Sequence, residues 1–164
     1  MTRAFIGVGS NIRPEENIRE ALRRLGQATR LVSVSTFYRE PAIGRPEEPD
    51  FYNGVVAIDT DLTRDTLKWQ VLRTIEAGLG RRRSGDKYAS RTIDLDLLLY
   101  GDSVPDPDVQ TRPFIAIPLY EIAPDLVLPD VRVAIREVAE QLATPDMQPL
   151  PEYTHSLRNE LLTV

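Results

Sequence analysis

Asp94 and Asp96 stand two residues apart in the run from Thr92 to Tyr100. If that run is a strand, side chains two apart leave the same face, and the Cα atoms lie ~6.6 Å apart at ~3.3 Å per residue. Two carboxylates so placed could bracket one or two Mg²⁺ ions, since Mg²⁺ takes a few carboxylates together with waters and substrate phosphates. A D-x-D pair is also what an ordinary strand carries on a wet face. The residues just upstream weigh for chemistry. Arg81, Arg82, Arg83, Lys87 and Arg91, against Asp86, make this stretch strongly cationic in a chain whose net charge is −5. Cations beside metal-ligating carboxylates suit a triphosphate, because phosphoryl-type transfer rests on positioning and on neutralising phosphate oxygens and needs no nucleophilic side chain. The plainer alternative for Arg81 to Arg83 is a solvated loop after a helix C-terminus, where cations suit the dipole.

Composition narrows the remaining chemistry. There is no cysteine and a single histidine, His155, which excludes disulfides, thiolate sites, a cysteine nucleophile and a histidine-cluster metal site. Any metal must be held by oxygen. The acidic balance, and the absence of an RNP-like K/R-G-F/Y-G/A-F pattern, argue against a nucleic-acid surface. No apolar run approaches the ~18 residues of a membrane span, and the N-terminus lacks a signal-type apolar segment, so cytoplasmic residence is expected. The 164 residues suit one domain spanning 1–164.

The elements that must position the acid pair follow from periodicity. Arg3 to Val8 reads as a strand ending in Gly9-Ser10-Asn11, and Pro14 suits a helix first turn. Within Glu15 to Gln27, Ile18, Ala21, Leu22 and Leu25 share one helical face, and Gly26 reads as an end signal. Leu31 to Tyr38 and Phe51 to Thr60 read as strands separated by a loop rich in Pro and Gly. Thr63 suits a helix cap, with Leu67, Val71, Leu72, Ile75 and Leu79 as the buried stripe. In the strand Thr92 to Tyr100, Ile93, Leu95, Leu97 and Leu99 fall on one face, and Asp94 and Asp96 on the other with Leu98 and Tyr100. The order βαββαβ predicts an α+β, ferredoxin-like core: an antiparallel sheet with helices on one face. A C-terminal extension follows, with short helices over Leu119 to Ile122 and Val133 to Leu142 and a Pro-punctuated tail from Pro145.

The segment Lys87-Tyr88-Ala89-Ser90-Arg91-Thr92-Ile93-Asp94-Leu95-Asp96-Leu97-Leu98 resembles the signature of the 6-hydroxymethyl-7,8-dihydropterin pyrophosphokinases. Other segments match in order: Gly9-Ser10-Asn11, Phe37-Tyr38 with Pro41 and Gly44, Pro49 to Gly54, Glu76 with Arg81, Arg112-Pro113-Phe114, and Pro118 to Pro124. The likeness spans roughly residues 3 to 130. It implies transfer of a diphosphate from ATP to the hydroxymethyl group of a reduced pterin, in folate synthesis. Asp94 and Asp96 would hold two Mg²⁺ ions, and Arg81 and Arg83 would belong to a mobile catalytic loop. Lys87, Arg91 and Arg112 would meet ATP phosphates, with Glu76 and Leu97 flanking the nucleotide. Phe51 and Phe114 would sandwich the pterin, an arrangement suited to a flat heterocycle, with Asn53, Tyr88 and the chain from Glu40 to Ile43 completing its pocket. Without the resemblance, Phe51, Tyr52 and Phe114 read as core aromatics. The partners implied are ATP and a reduced pterin, the protein being a monomer or weak homodimer.

This chain departs from the family's pattern in three places. The family usually has a Pro-His pair between the metal strand and the arginine matched by Arg112. Here stands a shorter segment, Asp102 to Thr111, with Asp102, Asp106 and Asp108. Tyr88 replaces a frequent Trp, and Glu40 a small polar residue. Two other functions therefore stand beside the enzyme: a degenerate homologue that binds nucleotide or pterin without turnover, and a relative acting on a different pterin-like alcohol.

Overall fold

The computed structural model describes residues 1–42, 44, 47–81 and 90–162. Ile43, Arg83, Lys87 and Tyr88 lie outside the described residues, as does most of the expected catalytic loop.

The first strand, β1 (Thr2–Ser10), is buried from Ala4 onward. It runs through the middle of the sheet, antiparallel to β4 (Phe51–Thr60) on one side and to β5 (Asp94–Tyr100) on the other. Central placement explains why its sequence reads as a continuous apolar run, since both faces are covered. Helix α1 (Pro14–Ala28) buries Ile18, Ala21, Leu22 and Leu25 as the spacing predicts. It passes through Gly26, however, and closes where the Thr29 amide and hydroxyl both donate to the Leu25 carbonyl. Gly26 has open space around it and no turn to make.

The predicted strand Leu31 to Tyr38 is two strands, β2 (Arg30–Val34) and β3 (Tyr38–Glu40), both antiparallel to β4. The break falls at Ser35, whose amide donates to the Val55 carbonyl while its hydroxyl accepts from the Val55 amide. That side chain replaces a ladder bond and lets the chain turn between the two strands. With β6 (Gln148–Pro149) on the outer side of β3, the sheet order is β5-β1-β4-β3-β6, with β2 also on β4.

The second helical segment is π-helical over Thr66–Leu72 before becoming α2 (Arg73–Gly78). Leu67 and Leu72 are both fully buried. They are five apart, a spacing that a widened turn brings to one side and an α-helix does not. Thr63 accepts from the Thr66 amide, as a cap should.

Helix α1, the π/α2 segment and α5 (Pro151–Leu161) cover one face of the sheet, around Ile6, Val8, Val56, Ile58, Ile93 and Leu95. The other face is covered as well, which corrects the expectation of helices on one side. There α3 (Pro113–Ile122) and α4 (Ile135–Gln141) pack on Phe5, Val55, Ala57, Leu98 and Leu99. Helix α3 starts six residues before the predicted Leu119. Pro118 lies inside it, where it withholds an amide from the Phe114 carbonyl and made the sequence read as loop. Among the described residues no helix is long and apolar enough to cross a membrane.

Gly54 marks the tightest point of the first face: a Cβ there would lie 2.7 Å from the Phe37 ring. Phe37 is fully buried and meets Tyr153 edge-on at 6.1 Å, so it has nowhere to swing. Gly54→Ala is expected to cost about 1–3 kcal/mol of stability by overpacking. Urea denaturation of the variant checks this, and an unchanged midpoint would refute it.

Candidate active site

The second face of the sheet changes character toward one end. At its buried end it is apolar, but beyond Val55 and Leu98 it carries Asn53 on β4, Gly7 and Gly9 on β1, and Asp94 and Asp96 on β5. The register places Gly9 beside Asp94 and Gly7 beside Asp96, so the strand next to the acid pair contributes no side chains. The result is a narrow cleft of about 30 Å³ lined by Gly7, Gly9, Asn53, Asp94, Asp96 and Phe114. A Cβ at position 9 would lie 2.5 Å from Asn53 Oδ1, so any side chain there would displace Asn53.

Strand alternation delivers the two carboxylates as expected and holds through Leu98, which shares their face. The register with β1 slips between Phe5 and Ile6, leaving Leu98 as an extra residue. Past this bulge the faces exchange. Leu99 therefore packs on the second face and Tyr100 on the first, the reverse of the assignment from simple alternation.

The acid pair is held in two states of charge. Burial opposes ionisation of Asp94, but Arg81 and Arg91 outweigh it and hold its carboxyl below the ordinary value. Arg91 Nη1 lies 2.9 Å from Asp94 Oδ2, and Arg81 Nη1 donates to Asp94 Oδ1. Asp96 is pushed up to about 7, first by burial and then by the charge of Asp94, with Asp106 and Glu76 adding to it. Two carboxyls that cannot both ionise share a proton.

Arg81 is more fixed than a residue of a mobile loop would be. Its side chain is 7% exposed and also donates to the Ile93 carbonyl (3.2 Å) and to Glu76 (3.4 Å), although among the described residues its buried Nε has no partner. Glu76 itself is buried on α2. Its carboxylate accepts from the Leu95 amide at 2.8 Å and from Arg73 at 3.1 Å, so it ties the helix to β5. Leu97 belongs to the first face, and Glu76 comes from α2 on that side, although Arg81 Nη1 donates to both Glu76 and Asp94 at the start of β5 and so links Glu76 to the acid pair.

The described pterin candidates lie on the same face, across the sheet from β5 toward β3. A cavity of about 300 Å³ is lined by Glu40, Pro41, Ala42, Arg112, Pro113, Phe114, Thr144 and Asp146. Phe114 lines both this cavity and the acid cleft. Asn53 bridges them as well, its Nδ2 donating to Glu40 Oε1 at 2.6 Å. Phe51, half-buried, is paired with Glu40 in the β3–β4 register and shares the Asn53 face of β4. Tyr52 points to the first face and packs on Tyr153, with ring centroids 5.9 Å apart.

Three contributors had no assigned role in the sequence. Asn11, buried, accepts from the Arg91 amide at 2.7 Å and donates to the Pro49 carbonyl and to Ser90. It anchors the segment leading into β5, so Arg91 reaches Asp94. An Asn closing the Gly-Ser turn after the first strand was the available signal. Thr144 and Asp146 come from the C-terminal tail and reach the cavity only because β6 runs along β3, which no local pattern announces.

The family model for 7,8-dihydro-6-hydroxymethylpterin-pyrophosphokinase (HPPK) matches residues 5–124. The chain belongs to the HPPK family. Curated relatives named 2-amino-4-hydroxy-6-hydroxymethyldihydropteridine pyrophosphokinase include that of Haemophilus influenzae, 38% identical over 158 residues, covering 90% of this chain and 97% of the relative. That of Pseudomonas aeruginosa is 41% identical over 142 residues, covering 79% and 86%. Among solved structures, the wild-type HPPK-DHPS of Plasmodium falciparum with pteroate superposes with a TM-score of 0.68 at 12% identity, over 85% of this chain. The chain spans 44% of that longer Plasmodium chain, so the likeness speaks to the fold of its matching part. In this HPPK-family chain the matched residues 5–124 carry the acid pair, Asn53, Glu40 and Phe114, whereas Thr144 and Asp146 lie beyond them.

Proposed function

We propose that this chain transfers the diphosphate of ATP to the hydroxymethyl group of 6-hydroxymethyl-7,8-dihydropterin, releasing AMP, as a step of folate biosynthesis. The carrying observation is that Phe114 and Asn53 join an acid cleft to a cavity large enough for a small heterocycle, on one continuous sheet face. One end suits phosphate and metal, the other a flat ring with mixed donors and acceptors. Helix α5 packs into the same core as α1, which supports reading 1–164 as one domain.

Among the described residues no set of three or more acidic or histidine side chains converges on one point. Two carboxyls sharing a proton on a dry floor nevertheless fit Mg²⁺, which takes few protein carboxylates and fills its remaining positions with phosphate and water. Asp94 and Asp96 would hold the two Mg²⁺ ions. Bound there, Mg²⁺ supplies neutralisation of the triphosphate. Among the described residues Arg81 and Arg91, now committed to Asp94, and Arg112, heading α3 beside Phe114, are cations for phosphate oxygens. Asn53 and Phe114 orient the pterin with its hydroxymethyl group toward the acid cleft, and α3 lies over the cleft and limits water.

Mass analysis of products from ATP, Mg²⁺ and 6-hydroxymethyl-7,8-dihydropterin tests this reading. Pterin diphosphate with AMP is expected. ADP, or no product, would refute the assignment.

The acidic segment after β5 lies within reach of the acid pair, since the Asp106 charge bears on Asp96. It is pinned there by its amide on the Leu98 carbonyl at 2.8 Å and by its carboxylate accepting from the Asp108 amide at 2.9 Å. Asp106→Asn combined with Asp108→Asn is therefore expected to tighten binding of an ATP analogue severalfold at low ionic strength, the gain fading as salt rises. Calorimetry across a salt series checks it; an affinity unchanged at every salt concentration would place these charges outside the nucleotide's field.

A further inference from the structure

We propose that Glu40 determines ring specificity: its carboxylate accepts from the two adjacent donors of the pterin, the 2-amino group and N3–H, selecting a 2-amino-4-oxo ring over its 2-oxo counterpart. This rests on the proposed pterin chemistry and names the group that reads the ring.

Four observations converge on it. Glu40 lines the 300 Å³ cavity together with Phe114, the aromatic that also borders the acid cleft. One of its oxygens, Oε1, already accepts from Asn53, while among the described residues Oε2 has no hydrogen bond. The neighbouring cation in sequence is committed elsewhere, with Arg39 Nε 2.9 Å from Asp50 Oδ2. Finally, the C-terminal tail brings a second carboxylate to the same wall. Pairing of Tyr38 and Arg39 with Pro149 and Gln148 brings the tail onto β3, Asp146 lines the same cavity as Glu40 and Pro41, and the Asp146 amide is turned onto Thr144 Oγ1 at 3.2 Å.

Such a wall disfavours anions and rewards a ligand that brings N–H donors. The Glu40 carboxyl stands at about 7, raised by burial against the Asn53 hydrogen bond and raised further by Asp146; Arg112, on the same cavity, does not bring it back down. A ring edge with two neighbouring N–H groups matches a carboxylate fork in the way a guanidinium does. A 2-oxo ring would instead set an acceptor against that carboxylate, leaving two oxygens facing each other in a partly dry pocket.

The test compares 6-hydroxymethyl-7,8-dihydropterin with the analogue bearing 2-oxo in place of 2-amino, in the full-length wild type and in Glu40→Gln. Wild type is expected to prefer the pterin by about 10³-fold or more in kcat/KM, because a site built around substrate donors rejects a ring lacking one. Glu40→Gln, whose amide can donate to the 2-oxo group, should bring the ratio to within about tenfold with the KM for ATP unchanged. Binding supplies a second readout. Donors favour the ionised carboxyl and lower its pKa from about 7, so wild type should release a fraction of a proton on binding pterin near pH 7, and Glu40→Gln should release none. Calorimetry in buffers of different ionisation enthalpy measures this. If Glu40 only orients Asn53, the Gln variant, which still offers an acceptor, keeps the wild-type preference, and the proposal is overturned. Absence of turnover in wild type would overturn the pyrophosphokinase reading instead; the binding comparison still decides Glu40, since equal affinity for the two rings overturns its role.

Discussion

Asp94→Ala and Asp96→Ala are each expected to lower turnover by about 10³-fold or more while leaving the folded state close to the parent's stability. Loss of a metal ligand at a phosphoryl-transfer centre removes several kcal/mol of transition-state stabilisation, and each ~1.4 kcal/mol is a factor of ten. The two variants should differ in stability in a telling direction. Asp96 is a buried acid whose charge is opposed by its surroundings, so its removal relieves a cost. Removing Asp94 takes a partner from Arg81 and Arg91, although Arg81 keeps Glu76 and the Ile93 carbonyl. Asp96→Ala should therefore be at least as stable as the parent, and Asp94→Ala slightly less so. Single-turnover rates with thermal melts check both statements. Near-parental rates in either variant would sink the two-carboxylate metal site.

The largest effect on stability is expected at a residue that does not face the cleft. Glu76→Ala should destabilise the protein by about 3–5 kcal/mol, the range found when one partner of a buried ion pair is removed and the other is left uncompensated. Glu76 is 2% exposed and serves the Leu95 amide, Arg73 and Arg81 together. Without it Arg81 keeps, among the described residues, only Asp94 as a carboxylate partner. The resemblance to the pyrophosphokinases assigns Glu76 to the nucleotide. Measuring ATP-analogue affinity alongside urea unfolding separates the roles: a large loss of stability supports the structural one, while weakened nucleotide binding with an unchanged midpoint would refute it.

How much of this was legible depended on whether the cause was local. Strand period alone placed Asp94 and Asp96 on one face, and the spacing of Ile18, Ala21, Leu22 and Leu25 fixed the buried side of α1. The order of elements was enough for an antiparallel ferredoxin-like core. Features set by tertiary partners were not readable. Ser35 breaks a strand because the ladder partner Val55 bonds its side chain. Pro118 sits within a helix whose packing on the sheet outweighs one lost hydrogen bond. The cavity wall at Thr144 and Asp146 depends on a two-residue strand that has no pattern of its own. Glu40 was legible as part of the stretch that the resemblance gives to the pterin pocket and as a departure from the small polar residue frequent there; its enclosure, its contact with Asn53 and the approach of Asp146 depend on tertiary partners.

The extra residue at Leu98 has an engineering consequence. Before it, β5 offers acid to the cleft and Leu95 to the core beneath α2; after it, Leu99 fills the core beneath α3, and Tyr100 turns back to donate to the Leu62 carbonyl at 2.6 Å. A designer grafting the D-x-D pair into another antiparallel scaffold would have to transplant this phase shift with it, or redesign every inward residue downstream. Deleting Leu98 from the native chain would remove the bulge itself: Leu99 would stay opposite Phe5 and Tyr100 opposite Ala4, each on the side it now holds, and the loss would be the Leu98 side chain from the core beneath α3.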